Sequence, residues 1–234
     1  MFSLNTSMAD NSKKNSKSFQ AVKSSSTASN KQNQAKPAKH LRKTSFTMPM
    51  YIPPLRGAPI RRVGGGTRSV GDNNHIQALS PGQTGLTISP QPLFYFYLQS
   101  EINSVIEFTL VASDSEDPLV EVQIPTTNSS LQTVDLATLN VQLAPNTEYQ
   151  WFVSIVIDPK QRAKDVVSGG GIKYVSATEN LKQTLAHSSK EQRSVILAES
   201  GIWYDAINAV QQTSNPTLQL NSLLEQVGLN DYSY

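Results

Sequence analysis

A mainly β chain, an antiparallel sandwich with a helical hairpin after it, is the architecture that the sequence predicts. Three observations carry that prediction. Short apolar runs alternating at period two recur between Leu79 and Val175, parted by clusters of Pro, Gly, Asn and Asp. One of them, from Leu143 to Asp158, is the most β-prone stretch of the chain and opens on a Pro145-Asn146 turn. Past Ser176 the apolar period changes from two to that of a helix. The spacing Leu143, Pro145, Thr147, Tyr149 is that of a tyrosine corner, in which a Tyr at the start of a strand bonds back across a sandwich turn. With about seven strands expected, that spacing points to the immunoglobulin or fibronectin type. A barrel-like arrangement with the helices plugging one end is the alternative.

Taken in order, the chain opens on a tail. Residues 1–48 are rich in Ser, Lys, Asn and Gln, with only isolated apolar positions, and a segment of that kind buries too little surface to offset its ordering entropy. It is expected to be disordered, with two readings open: a solubilising tail, or a contact for something anionic. Charge is divided sharply: residues 1–68 hold 13 Lys/Arg against Asp10 alone, whereas residues 69–234 hold 7 against 17 Asp/Glu. The formal net charge of +2 therefore joins a basic tail to an acidic body. Residues 49–77 form a Pro/Gly/Arg-rich arm containing Arg61-Arg-Val-Gly-Gly-Gly-Thr-Arg68. A phosphate loop needs a strand before the glycines and a Lys and helix after them, and none of these is present.

The sandwich is expected over residues 78–175. Leu79 and Leu86-Thr-Ile88 are framed by Ser80-Pro-Gly82 and Gln83-Thr-Gly85. In Leu93–Leu98, Phe94, Phe96 and Leu98 share one face, and Leu93, Tyr95 and Tyr97 the other, half-covered one. Val105–Ala112 alternates, and the acidic connection Asp114–Asp117, lacking a glycine-pinned loop for calcium, reads as a solvated hairpin before Leu119–Ile124. Leu131–Leu136 and Leu139–Leu143 supply a further strand or two. Tyr149 and Trp151 fall on one face of the central strand and are expected in the core, with Phe152 opposite. Ser168-Gly-Gly-Gly171 precedes a closing strand, Ile172–Val175.

Residues 176–234 read as the helical hairpin. A short helix spans Ala177–His187, and a longer one runs from Lys190 to about Gln212 behind Ser188 or Ser189. Ile196, Trp203, Ile207 and Val210 make its apolar stripe, which places Trp203 in the core. A last helix, Thr217–Val227, closes on Gly228.

Candidate chemistry is sparse. The chain has no cysteine and three scattered histidines, so thiolate and histidine metal chemistry have no basis and no cofactor is expected. Asp158, Arg162 and Asp165 fall close together after the central strand, and Arg68 follows the first glycine run. These four are expected to form a structural ion-pair lock that pins the arm 60–68 to the end of that strand. Carboxylates such as Asp158 and Asp165 also suggest a hydrolase, and an adjacent arginine opposes the raised pKa that such work requires. No apolar run is long enough to span a membrane.

Five stretches together resemble a cyanobacterial family that is itself a domain of unknown function. They are Arg61–Arg68, Tyr149-Gln-Trp-Phe-Val-Ser154, Asp158-Pro-Lys-Gln-Arg162 with Asp165, Leu197-Ala-Glu-Ser-Gly-Ile-Trp-Tyr-Asp205 and Leu223–Leu229. The resemblance implies a cyanobacterial source and an envelope or periplasmic location, although residues 1–48 carry no apolar export signal. It brings no catalytic residue. The expectation is a non-enzymatic binding or adaptor module whose sandwich loops or helical hairpin engage a protein or glycan, with the carboxylate hydrolase as the alternative.

Overall fold

The computed structural model describes residues 47–54, 63, 76–99, 104–125 and 130–229. The disordered-tail expectation for residues 1–48 lies almost wholly outside them, as does Arg68. The described residues all belong to the unit Ser45–Tyr234. Its strands are β1 (Ile76–Ala78), β2 (Gly85–Thr87), β3 (Leu93–Leu98), β4 (Val105–Ala112), β5 (Pro118–Ile124), β6 (Leu131–Asp135), β7 (Glu148–Val156) and β8 (Val166–Tyr174). They form a three-stranded sheet, β1-β3-β6, and a five-stranded sheet, β2-β8-β7-β4-β5. Every pairing is antiparallel except β2 with β8, which is parallel, so the wholly antiparallel expectation is corrected there. The chain passes from the small sheet to the edge of the large one between β1 and β2, through Pro81-Gly82. No hairpin joins β2 to β8, and antiparallel pairing is not imposed.

Alternation along the central strands builds the core between the sheets. Tyr149, Trp151, Val153 and Ile155 of β7 are buried, and register places Trp151 beside Leu110 and Val153 beside Phe108. From the small sheet, the ring of Phe94 meets Trp151 at 4.9 Å and Phe108 at 5.2 Å between centroids. The other face of β3 is buried as well. Tyr95 lies under the helices and donates its hydroxyl to Asn208 at 3.1 Å, so this face is not half-covered. The Tyr149 hydroxyl accepts from the Ala144 N–H at 3.0 Å, the bond that the Leu143–Tyr149 spacing anticipates. Leu139–Leu143 is not a strand. It is a turn and loop with Asn140 at φ 54°, and Leu143 N–H bonds Pro90.

The second glycine run sits inside β8 rather than before it. A Cβ on Gly169 would collide with the Trp151 carbonyl, and one on Gly170 with the Ser80 hydroxyl. Glycine is what lets β8 lie flush against both neighbours. On its free side Gly169 exchanges two backbone hydrogen bonds with Val63, at 3.0 and 3.2 Å. That bridge is the one described point at which the arm meets the strand edge.

Four helices follow instead of a hairpin: α1 (Glu179–Ala186), α2 (Lys190–Glu199), α3 (Trp203–Val210) and α4 (Pro216–Gln226). Ser189 and Gln192 form a capping box that starts α2. The single helix expected to reach Gln212 breaks at Gly201, whose φ of 75° turns the chain left-handed. Gly201 N–H bonds Ala198 O and Ile202 N–H bonds Leu197 O, so a glycine cap closes α2. The same arrangement at Gly228 closes α4. The apolar stripe survives the break because α3 carries it on. Trp203, Ile207 and Val210 are buried in one continuous hydrophobic core shared by both sheets and the helices.

Candidate functional site

The buried aromatic side chains of α3 tie the helical layer to the sheets by hydrogen bonds. Trp203 Nε1 donates to Leu79 O at 2.9 Å. Trp151 Nε1 donates to the Tyr204 hydroxyl at 2.8 Å, and that hydroxyl donates to Gly171 O at 2.8 Å. Both tryptophans are completely buried, and each indole N–H is satisfied, as a large amphipathic ring in a core requires.

The outer side of this layer carries two features. The first is a docked segment. Residues 47–54 lie extended across α2, Gly201 and α4, with Pro49 and Tyr51 facing in and Met48, Met50 and Ile52 facing out. The Gln226 side chain reads the backbone of the segment twice. Its Oε1 accepts from Tyr51 N–H at 2.7 Å, and its Nε2 donates to Pro49 O at 3.1 Å. Ile52 N–H donates to Ala198 O, at the end of α2, at 3.1 Å. The Tyr51 ring stands edge-on to Trp203 with centroids 4.7 Å apart. Gly201 leaves the room: a Cβ there would come within 2.9 Å of Ile52 O.

The second feature is a cleft of about 420 Å³ between α1, α2 and α3. Leu185, Leu197, Ala209 and Ile88 give it an apolar wall. Lys182, Lys190 and Arg193, three of the seven cations after residue 68, stand around it. Two of them are partly engaged, Lys182 with Glu179 at 2.7 Å and Arg193 with Leu185 O at 3.2 Å. Asp205, in the first turn of α3, reaches the inner wall and accepts from Ile88 N–H at 3.1 Å. Burial pushes its carboxyl above the ordinary value, against hydrogen bonds from Thr87 and Ile88 that pull it down.

The residues singled out in the sequence are placed as follows. Tyr149, Trp151 and Trp203 are core residues. Arg162 lies in a 3-10 turn (Arg162–Lys164) and pairs with Asp165 at 2.5 Å and with Glu107 at 2.5 Å. Those two carboxylates hold its guanidinium above its ordinary value, Asp165 the more strongly. Asp158 is not part of the pair. Its oxygens accept from Lys160 N–H at 2.9 Å and from the Gln161 side chain at 3.0 Å, so its own turn consumes them. Asp165 also accepts from Ile157 N–H at 3.3 Å, which leaves neither aspartate a free carboxylate facing the other. Sequence reasoning missed Glu107, Asp205, Gln226 and Tyr51. Glu107 gave one faint signal, a lone acid in the alternation of β4. Its role depends on β4 being the neighbour of β7. Among the described residues, no group of three or more His, Cys, Asp or Glu is placed to hold a metal.

Two sheets with largely antiparallel ladders and four C-terminal helices thus define a mainly β protein with a helical layer. The chain belongs to the Domain of Unknown Function (DUF928) family, whose model matches residues 63–234. Among solved structures it is similar to the fn3 domain of the human collagen alpha-1(XX) chain, determined in solution. That likeness is 11% identical with a TM-score of 0.27, over 49% of this chain and 90% of that one, too slight to bear on fold or function. No curated protein matches the chain. Among the described residues no helix is long and apolar enough to cross a membrane.

Proposed function

We propose that this protein is a non-enzymatic binding or adaptor module of the cell envelope that engages a protein partner through its helical layer. In this reading the two sheets are an immunoglobulin- or fibronectin-like sandwich, and they serve as the scaffold. One observation carries the reading: α2 and α4 hold an extended polypeptide, residues 47–54, by contacts directed at its backbone. A surface that satisfies the main chain of an unpaired segment is suited to recognising peptides. The alternative, a hydrolase using Asp158 and Asp165, has no comparable support, because both carboxylates are engaged by their own loop.

Capture of a partner from an envelope extract, followed by hydrogen–deuterium exchange of the complex, tests the proposal. Protection is expected on residues 190–226. Protection confined to the strands and their loops, or turnover of the captured molecule, would overturn it.

A further inference from the structure

We infer that the outward side of residues 47–54, with the basic sequence that flanks it, is a contact surface for a negatively charged lipid bilayer. The inference is independent of the protein-partner reading and concerns the side of the segment that faces away from the helices. The segment has two unlike sides. Pro49 and Tyr51 are turned inward, and bonds from its backbone to Gln226 and Ala198 O, with the Tyr51 ring against Trp203, hold it in place. Met48, Met50 and Ile52, at every second position, face outward and are 36%, 59% and 51% exposed. On extended chain such positions stand about 7 Å apart along one side, so the three make a short apolar row. Of the eight large apolar residues exposed among the described ones, only these three share a segment. Scattered apolar side chains on a surface are ordinary, but a row with its backbone pinned is already ordered for a partner.

Charge says which partner. From Lys36 to Arg62 the chain carries seven Lys/Arg and no Asp or Glu. Lys43 comes five residues before Met48 and Arg56 four after Ile52, so covalent reach alone keeps both within roughly 18 Å of the row. Against them stand Glu199 and Glu225, the sequence neighbours of Ala198 and Gln226, and the balance stays positive. An apolar row bracketed by cations suits both layers of an anionic membrane surface, acyl chains under the row and headgroup phosphates around the cations. A nucleic acid satisfies the cations but leaves Met48, Met50 and Ile52 without a role. The one described ring of the segment, Tyr51, is turned inward and is closed to stacking on a base. The contact is peripheral, since no helix among the described residues can cross a bilayer.

The full chain is mixed with vesicles of phosphatidylcholine alone, or of phosphatidylcholine and phosphatidylglycerol in equal parts, and the bound fraction is read by flotation. Binding to the anionic vesicles alone is expected, weakened by salt. A chain with Met48→Ser, Met50→Ser and Ile52→Ser keeps Pro49, Tyr51 and the backbone bonds. Its melt should match wild type while its partition onto anionic vesicles falls at least about tenfold. Replacing Lys39, Arg42 and Lys43 with Ser should lower partition by about fivefold for each cation removed. With Met50→Trp, emission should shift to the blue on anionic vesicles, as the outward side enters an apolar layer. Absence of binding, equal binding by the folded triple Ser chain, or an unshifted Met50→Trp emission on bound vesicles overturns the inference. An oligonucleotide that displaces the vesicles and binds wild-type and triple Ser chains alike also overturns it, by making nucleic acid the partner. So does a dimer that the Ser substitutions abolish in a chain that leaves vesicles unbound, by making a second copy the occupant. Protection of residues 190–226 by a protein partner is unaffected by any of these results, so the two readings fail separately.

Discussion

Replacing Tyr204 with Phe removes a single oxygen and is the sharpest test of how the helical layer is joined to the sheets. That oxygen accepts from Trp151 Nε1 and donates to Gly171 O, both at 2.8 Å, in a region closed to solvent. Phenylalanine keeps the ring and its edge-on packing against Phe94 at 5.7 Å and Trp151 at 6.4 Å, so little packing is lost. What remains is an indole N–H without an acceptor and a carbonyl that has lost one donor. Each orphaned buried group costs about 1–3 kcal/mol. Because Gly171 lies in a strand ladder, the Trp151 N–H should dominate, for a total of about 2–3 kcal/mol. Urea unfolding followed by tryptophan fluorescence should show the midpoint falling with the slope unchanged. In a thermal scan the loss corresponds to Tm lower by roughly 4–12 °C. A double-mutant cycle with Trp151→Phe, which removes the indole donor, should show the two substitutions strongly non-additive. A loss below about 0.5 kcal/mol for Tyr204→Phe, or additivity in the cycle, would mean that packing alone holds α3 in place and that the hydrogen-bond argument is wrong.

Burial raises the Asp205 carboxyl, so the folded chain holds that proton more tightly than the unfolded chain does. The resulting stabilisation is complete below the ordinary carboxyl pKa and is lost as pH rises through the raised value. Asp205→Asn keeps an acceptor for Ile88 N–H and should flatten that part of the Tm-versus-pH curve, with neutral-pH stability equal to or above wild type. Asp205→Leu should cost about 1–3 kcal/mol, read by urea unfolding. Gly169→Ala meets the Trp151 carbonyl, which cannot yield, and should cost at least about 2 kcal/mol in unfolding free energy. Gly228→Ala meets nothing within 4 Å and should cost only about 1 kcal/mol, from its φ of 72°. Arg162→Ala breaks an ion pair whose cation is half-exposed, so its small Tm decrease at low salt should vanish at high salt. A persistent loss there would mean that Asp165 and Glu107 need the arginine for more than surface pairing.

The sequence by itself determined what depends on neighbours along the chain. Period-two alternation placed β3, β4, β5, β6 and β7 and put Tyr149 and Trp151 on one inward face. Local side-chain chemistry announced the tyrosine corner, a cap at Ser188 or Ser189, and the stop at Gly228. The sequence also placed Trp203 in the core, although the helix proposed around it runs straight through Gly201. A glycine at φ 75° closes a helix only when the bonds to Ala198 and Leu197 form, whereas a glycine in a solvated helix costs merely some propensity. Tertiary structure alone decided the rest. The run Ser168–Gly171 reads as lying before the closing strand because nothing local shows that Trp151, Phe152 and Ser80 crowd Gly169 and Gly170 inside it. Asp158 and Asp165 both read as partners of Arg162 because the three are close in sequence, and only Asp165 is one. The fold instead supplied Glu107, 55 residues away, by laying β4 beside β7. Nor does any pattern near Gln226 reveal that its amide meets the backbone 175 residues earlier. A side chain that bonds to main chain places no demand on the identity of its partner, and so leaves no trace in the partner's sequence.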